Sequence, residues 1–115
     1  MHVPGGGDAP LVTADHIAAM KPSAYFINTA RGDSVDQDAL VTALRENRIA
    51  GARLDVFNDE PIVPDDLRQL DNVTLLPHIG SATTEVRTAL GMLAADNLDA
   101  FFSGMPLPNA VVPAS

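Results

Sequence analysis

Three side chains with complementary chemistry, Arg31, Glu60 and His78, each follow a segment that is predicted to be an apolar strand. An arginine guanidinium can hold a carboxylate through two hydrogen bonds. Histidine is the side chain best suited to proton transfer near neutral pH. A carboxylate that reaches the imidazole fixes which ring nitrogen carries the proton. Together these residue types predict a site that binds an organic acid and transfers a proton.

Each of the three residues also has a plain structural interpretation. Arg31 can be a surface arginine, His78 a structural histidine, and Glu60 part of a solvated acidic loop in which Asp59 is an equally placed competitor. Asp55 is different, because it ends an apolar strand. A buried aspartate must be hydrogen-bonded, for instance to an amide of a bound ligand.

The elements that position these residues alternate between strands and helices. Apolar runs at 24–28, 49–56 and 73–76 predict strands, and we expect the first to be buried on both faces. Thr13, Asp36 and Thr83 are placed to cap the helices between and after them. This alternation predicts an α/β fold with a parallel sheet, which binds ligands at the carboxyl ends of its strands.

Composition excludes several classes of function. The 115 residues allow one domain at most, and a net charge of −8 argues against nucleic acid and anionic membranes as partners. Without cysteine there is no disulfide or thiolate metal site, and we assign no metal site. With no apolar run long enough to cross a membrane and no secretory pattern, we expect a cytoplasmic protein. Gly5–Gly7 lacks the spacing of a dinucleotide fingerprint.

A set of short segments, in order, resembles the D-isomer-specific 2-hydroxyacid dehydrogenases. The segments are Met1-His2-Val3-Pro4, Met20-Lys21-Pro22, Ile27-Asn28-Thr29-Ala30-Arg31-Gly32, Leu54-Asp55-Val56-Phe57 with Glu60-Pro61, Asn72-Val73, and Pro77-His78-Ile79-Gly80-Ser81-Ala82-Thr83. The resemblance covers essentially the whole chain, and the part from Leu54 to Pro108 is most similar to glyoxylate and hydroxypyruvate reductases.

The resemblance implies the C-terminal half of a Rossmann-like parallel sheet with flanking helices, which is an incomplete domain. Residues 1–102 would be part of a dinucleotide-binding domain, and residues 103–115 an extended tail returning to the substrate domain. The implied reaction is reduction of a small 2-oxo acid to a D-2-hydroxy acid. In it Arg31 holds the substrate carboxylate, His78 is the general acid/base and Glu60 pairs with His78. A homodimer is the expected assembly.

The implied cofactor is NAD(P), with NADP favoured by the similarity to the reductase subgroup. The residues implied to contact it are Val3, Pro4, Thr29, Ala30, Arg31, Asp55 (towards the nicotinamide amide), His78, Gly80 and Ser81. The family's glycine-rich phosphate loop and its ribose-reading residue are expected upstream of these segments, so we expect the 115 residues alone to be inactive.

Two other hypotheses stay open. The chain can be a stand-alone, non-catalytic fragment that only binds or self-associates through the apolar stripe of its last helix. It can also resemble corepressors that share the dehydrogenase fold and bind protein partners, although no specific motif supports that hypothesis.

Overall fold

The computed structural model of the protein describes Val3 and residues 5–111. Pro4, one of the predicted cofactor contacts, lies outside the described residues. The helices are α1 (Ala14–Ala18), α2 (Gln37–Arg45), α3 (Asp65–Arg68) and α4 (Thr84–Phe102), with a 3₁₀ turn at Gly32–Ser34. The strands are β1 (Tyr25–Asn28), β2 (Gly51–Leu54) and β3 (Val73–Leu75).

In the part of the chain that the structure describes, the three strands form one parallel sheet in the order β1-β2-β3. Asn28 lies opposite Leu54, which lies opposite Leu75, so the strands end at the same edge of the sheet. The predicted α/β class and parallel sheet are confirmed. The predicted strand at 49–56 is shorter than expected, because regular pairing is limited to Gly51–Leu54.

Local signals place the helix starts where the sequence predicts them. Asp36 accepts a hydrogen bond from the Ala39 amide at 3.0 Å and so caps α2. Thr83 caps α4 in the same way, its hydroxyl accepting from the Val86 amide at 3.3 Å. These caps satisfy amide groups that the first turn of a helix leaves without partners.

The prediction that β1 is buried on both faces is wrong. Phe26 is buried, whereas Tyr25 is 57% and Ile27 54% exposed. Phe26 joins Ile17 of α1 and Leu40 of α2 in one apolar cluster, so these helices cover only the face on which Phe26 lies. The apolar run therefore alternates between a covered and an exposed face.

The core of this part of the chain is a cluster of apolar side chains on one side of the sheet. Leu40, Leu44, Ile49 and Leu67 are among its fully buried members. Gly51 allows a neighbour to approach closely, because a Cβ atom there would lie 2.4 Å from the Asn72 carbonyl oxygen. The core thus ties the strands to the helices that precede and follow β2.

The chain divides into two compact units, the first ending at Gly80 and the second beginning at Ser81. In the second unit α4 carries no buried residue, and Asn97 on α4 accepts a hydrogen bond from the Asn109 amide at 3.1 Å. This bond joins the beginning of the tail after α4 to the helix. Among the described residues, no helix combines the length and apolar character that crossing a membrane requires.

Candidate active site

The loop after β1 presents Arg31 and is held by Asn28, the last residue of the strand. Asn28 is 1% exposed, and its Oδ1 accepts a hydrogen bond from the Ala30 amide at 3.0 Å. Its Nδ2 donates to the Arg31 carbonyl at 2.9 Å, and the Ser34 hydroxyl donates to the same oxygen. The backbone at Arg31 is thus fixed, while the Arg31 side chain is exposed.

The loops after β1 and β2 touch backbone to backbone. A Cβ atom at Gly32 would lie 2.1 Å from the carbonyl carbon of Phe57, closer than any side chain permits. The Asn58 amide also donates to the side-chain oxygen of Gln37, the first residue of α2, at 3.2 Å. These contacts fix the backbone that leads to Glu60 relative to the backbone that carries Arg31.

The structure brings Glu60 and His78 into direct contact. Oε2 of Glu60 lies 2.6 Å from Nδ1 of His78, and Oε1 accepts a hydrogen bond from the Phe57 amide at 3.0 Å. Among the described residues, the side chain of Asp59 makes no hydrogen bond with His78. Glu60 is therefore the carboxylate that reaches the imidazole.

The electrostatics of the pair favour an ionised Glu60. The hydrogen bond from His78 lowers the pKa of Glu60, and the Phe57 amide and the positive charge of Arg31 lower that pKa further, against a rise caused by partial burial. The positive charge of Arg31 thus acts on the same carboxylate that contacts His78. Their catalytic roles stay predictions.

The loop after β3 holds His78 in an unusual backbone conformation. His78 has a φ of 53°, in the left-handed region that residues other than glycine rarely adopt. The next two amides, of Ile79 and Gly80, donate to Oδ1 and Oδ2 of Asp55 at 2.8 and 2.7 Å. Such conformations concentrate at functional sites, where neighbouring contacts maintain them.

Asp55 is 2% exposed, so the prediction that it is a buried, hydrogen-bonded aspartate is confirmed. Its hydrogen-bond partners in the chain are the amides of Ile79 and Gly80. The predicted contact between Asp55 and a nicotinamide amide stays a prediction.

The other predicted cofactor contacts lie in different surroundings. Thr29 is exposed, whereas Ala30 is buried. Val3 lines a recess with Gly5–Gly7 and Ser34, beside the loop that carries Arg31. Ser81 belongs to the second unit, so its contact with a cofactor stays a prediction.

A small apolar recess adjoins the Glu60–His78 pair. It has a volume of about 180 Å³, and Phe57, Val63 and two prolines line it together with the pair. Apolar walls lower the local dielectric and strengthen the interaction between the carboxylate and the imidazole.

Asn28 and Gly32 position the site, and the sequence-based interpretation assigned them no such role. Asn28 is a polar residue that ends an apolar strand, which is the same signal that singled out Asp55. Gly32 follows Arg31 directly, but its neighbour Phe57 is 25 positions away along the printed sequence. No local pattern reports a contact of that kind.

Comparisons with known proteins identify a family for the chain. A family model described as "D-isomer specific 2-hydroxyacid dehydrogenase, NAD binding domain" matches residues 1–80. The chain is 48% identical over 102 residues to the hydroxyphenylpyruvate reductase of Plectranthus scutellarioides, covering 89% of this chain and 33% of that protein. It is 50% identical over 101 residues to the glyoxylate reductase of Pyrococcus furiosus, covering 88% of this chain and 30% of that protein.

Solved structures show the same similarity. The NADPH-dependent glyoxylate/hydroxypyruvate reductase of Sinorhizobium meliloti, in complex with NADP and malonate, superimposes with a TM-score of 0.89 at 46% identity, over 96% of this chain and 35% of that one. The chain thus spans about a third of the length of the relatives it matches. The chain belongs to the D-isomer specific 2-hydroxyacid dehydrogenase family, and its residues 1–80 match the NAD-binding domain of that family.

Proposed function

We propose that this chain is the part of an oxidoreductase that carries the proton donor and the substrate-anchoring arginine for reducing a 2-oxo acid to a D-2-hydroxy acid. The contact of 2.6 Å between Glu60 and His78, at the carboxyl edge of a parallel sheet and in the field of Arg31, is the observation that supports this most. The named relatives reduce glyoxylate, hydroxypyruvate or hydroxyphenylpyruvate, so a small 2-oxo acid of this kind is the proposed substrate.

The proton step follows from the geometry of the imidazole. Nδ1 of His78 is occupied by Glu60, which leaves Nε2 as the nitrogen that donates a proton to the carbonyl oxygen of the substrate. The ionised Glu60 stabilises the imidazolium before the transfer and holds the ring afterwards. When bound, NAD(P)H supplies the hydride that adds to the carbonyl carbon, so that one hydride and one proton complete the reduction.

Arg31 is proposed to anchor the substrate. Its backbone is held by Asn28, while its side chain is exposed, and its Nη1 donates to the Ala30 carbonyl at 2.7 Å. The remaining donors of the guanidinium can bind the carboxylate of a 2-oxo acid and orient its carbonyl towards His78. In an acidic chain this local cation is what an anionic substrate requires.

The described residues fit the nicotinamide end of a dinucleotide in part. Thr29 offers an exposed hydroxyl at the end of β1, and Val3 lies in a recess next to the loop that carries Arg31. Each oxygen of Asp55 accepts one amide of the protein and keeps a second lone pair for a further donor. NADP is the proposed form, supported by the NADPH-dependent relative from Sinorhizobium meliloti. The homodimer, the cytoplasmic location and the return of residues 103–115 to a substrate domain stay predictions.

A chimera tests the proposal. In it the chain replaces the segment of the Pyrococcus furiosus glyoxylate reductase that it matches, and reduction of glyoxylate is followed by the oxidation of NADPH. His78→Ala should lower kcat by about 10²–10⁴-fold, the usual contribution of a general acid. Arg31→Ala should chiefly raise KM, because it removes the anchor of the substrate.

Arg45→Ala is the matched control, since Arg45 is an exposed arginine at the end of α2 whose side chain pairs with Asp66 on α3. It should leave both kinetic constants unchanged. A chimera that turns over normally with both His78→Ala and Arg31→Ala would exclude the proposed roles. The isolated chain should bind NADPH only weakly in a fluorescence titration.

A further inference from the structure

The buried carboxylate of Asp55 binds the two backbone amides that directly follow His78. Its Oδ1 accepts the Ile79 amide at 2.8 Å and its Oδ2 accepts the Gly80 amide at 2.7 Å. Asp55 is 2% exposed, and its own amide donates to the Asn28 carbonyl at 3.0 Å, so the carboxylate is fixed to the sheet. A carboxylate is costly to bury without such partners, and hydrogen bonds to a charged acceptor are among the stronger ones.

The position of these two bonds matters because of the conformation at His78. His78 has a φ of 53°. Residues with a Cβ atom seldom adopt this backbone conformation, and it persists only where surrounding contacts hold it. The two bonded amides are the first two after that residue. The Leu76 amide, before it, donates to the Leu54 carbonyl at 2.8 Å. The turn at His78 is therefore held on both sides by the end of β2.

We propose that Asp55 is a positioning residue for His78, which holds the left-handed turn so that Nδ1 of the imidazole meets Glu60. Asp55 touches neither ring nitrogen and acts through the Ile79 and Gly80 amides. Its catalytic importance rests on the function proposed for His78, but the positioning itself concerns the chain alone. This role is separate from the cofactor contact that family resemblance implies for Asp55.

The first experiment measures directly which nitrogen of the His78 imidazole carries the proton. Long-range ¹H–¹⁵N correlation spectra of the ¹⁵N-labelled chain report which nitrogen of each neutral histidine ring carries the proton, and His78→Gln identifies the signals of His78. In the unaltered chain, contact with Glu60 should keep the proton of neutral His78 on Nδ1. Asp55→Asn replaces one carboxylate oxygen with an NH2 group, which cannot accept a hydrogen bond from the Ile79 or Gly80 backbone amide. The His78 signals should therefore shift towards the pattern of an unpaired imidazole.

Amide hydrogen exchange is the second measurement. In the unaltered chain the Ile79 and Gly80 amides should be protected, and in Asp55→Asn at least one should exchange about tenfold faster, as expected for losing one charge-assisted hydrogen bond. Exchange in the unaltered chain tests the proposal even where Asp55→Asn fails to fold, since two unprotected amides would overturn it. Asp59→Asn is the matched control, because it removes the same charge from an exposed position in the loop after β2 and should alter neither measurement.

The outcomes separate this proposal from the proposed function. An unchanged His78 pattern and unchanged exchange in folded Asp55→Asn would overturn the positioning role. Glu60→Ala should produce the unpaired His78 pattern while leaving the Ile79 and Gly80 amides protected. If instead Glu60→Ala left the His78 pattern as it is in the unaltered chain, the catalytic pair itself would be refuted, whatever Asp55 does.

Discussion

Oε2 of Glu60 lies 2.6 Å from Nδ1 of His78, although the two residues are 18 positions apart in the sequence. Glu60 is held on its other side by the Phe57 amide, so the carboxylate is directed towards the imidazole before any substrate arrives. The pKa of Glu60 is lowered chiefly by this contact with His78. The pair therefore links the protonation of a side chain to the stability of the fold.

The first prediction concerns stability in acid. A carboxyl group whose pKa is lower in the folded chain stabilises the fold above its unfolded pKa, and this contribution is lost as the pH falls through the folded pKa. The Glu60 contribution should therefore be complete at about pH 6 and decline below about pH 4.5, the ordinary pKa of a glutamate. Glu60→Gln should lower the urea midpoint at about pH 6, and its difference from the unaltered chain should shrink towards about pH 3.

Asp59→Asn serves as the control for Glu60→Gln, because no contact of its side chain with His78 is seen among the described residues. It should leave the shape of the acid profile unchanged. A difference between Glu60→Gln and the unaltered chain that stayed constant from about pH 6 to about pH 3 would contradict a lowered pKa for Glu60.

The second prediction concerns Asn28. Asn28→Ala leaves the buried Ala30 amide without its acceptor and the Arg31 carbonyl without one of its donors. An unsatisfied buried polar group costs about 1–3 kcal/mol, and we expect the free energy of unfolding to fall by that amount. Urea unfolding at neutral pH measures it. Thr29→Ala, at the exposed neighbouring position, should change stability by less than about 0.5 kcal/mol, and equal losses for both variants would count against the anchoring role of Asn28.

The third prediction concerns the contact between two loops. Gly32→Ala places a Cβ atom 2.1 Å from the backbone of Phe57, which cannot move aside as a side chain can. We expect a loss of about 1–3 kcal/mol, typical of overpacking, with shifts in the amide spectrum at Phe57 and Asn58. Gly7→Ala is the comparison, because its Cβ would meet only the Ala9 carbonyl oxygen at an ordinary 3.4 Å. If Gly32→Ala were as stable as Gly7→Ala, the close approach would not exist in solution.

The fourth prediction concerns the exposed apolar face of α4. Leu93 is 42% and Phe101 65% exposed, and both line an apolar recess along this helix. Exposed apolar surface of this kind favours association, so the isolated chain should self-associate with rising concentration in sedimentation velocity runs. Leu93→Glu should weaken that association. Met92→Glu should not, because Met92 is also an exposed apolar residue but does not line the recess. Equal effects of the two substitutions would rule out a specific face.

The elements of the fold were predictable because their signals are local. Asp36 and Thr83 mark helix starts within one turn of the residues they cap, and alternation of strands with helices predicts a parallel sheet. The exposed face of β1 was not predictable in this way. Tyr25 and Ile27 are as apolar as core residues, and only the placement of α1 and α2 decides which face of the strand they cover.

The site was predictable in its residue types and not in its pairings. That Arg31, Glu60 and His78 gather at one sheet edge follows from the rule that parallel strands end together. The choice of Glu60 over Asp59 depends on the path of the loop after β2, which the Phe57 amide and Gln37 determine. Likewise, the partners of Asp55 are backbone amides 24 and 25 positions further along the chain, which no short motif encodes.

The backbone contact between Gly32 and Phe57 has a consequence for how this region tolerates change. Arg31 and Glu60 extend from two main-chain segments that touch. The distance between the guanidinium and the carboxylate can therefore change only through the conformations of the two side chains. Lengthening either loop by one residue would therefore displace a charged group by the spacing of a whole residue, about 3.3–3.6 Å, whereas exchanging one side chain for another of similar length would not. Insertions in these two loops should be tolerated far less than insertions at an ordinary surface turn.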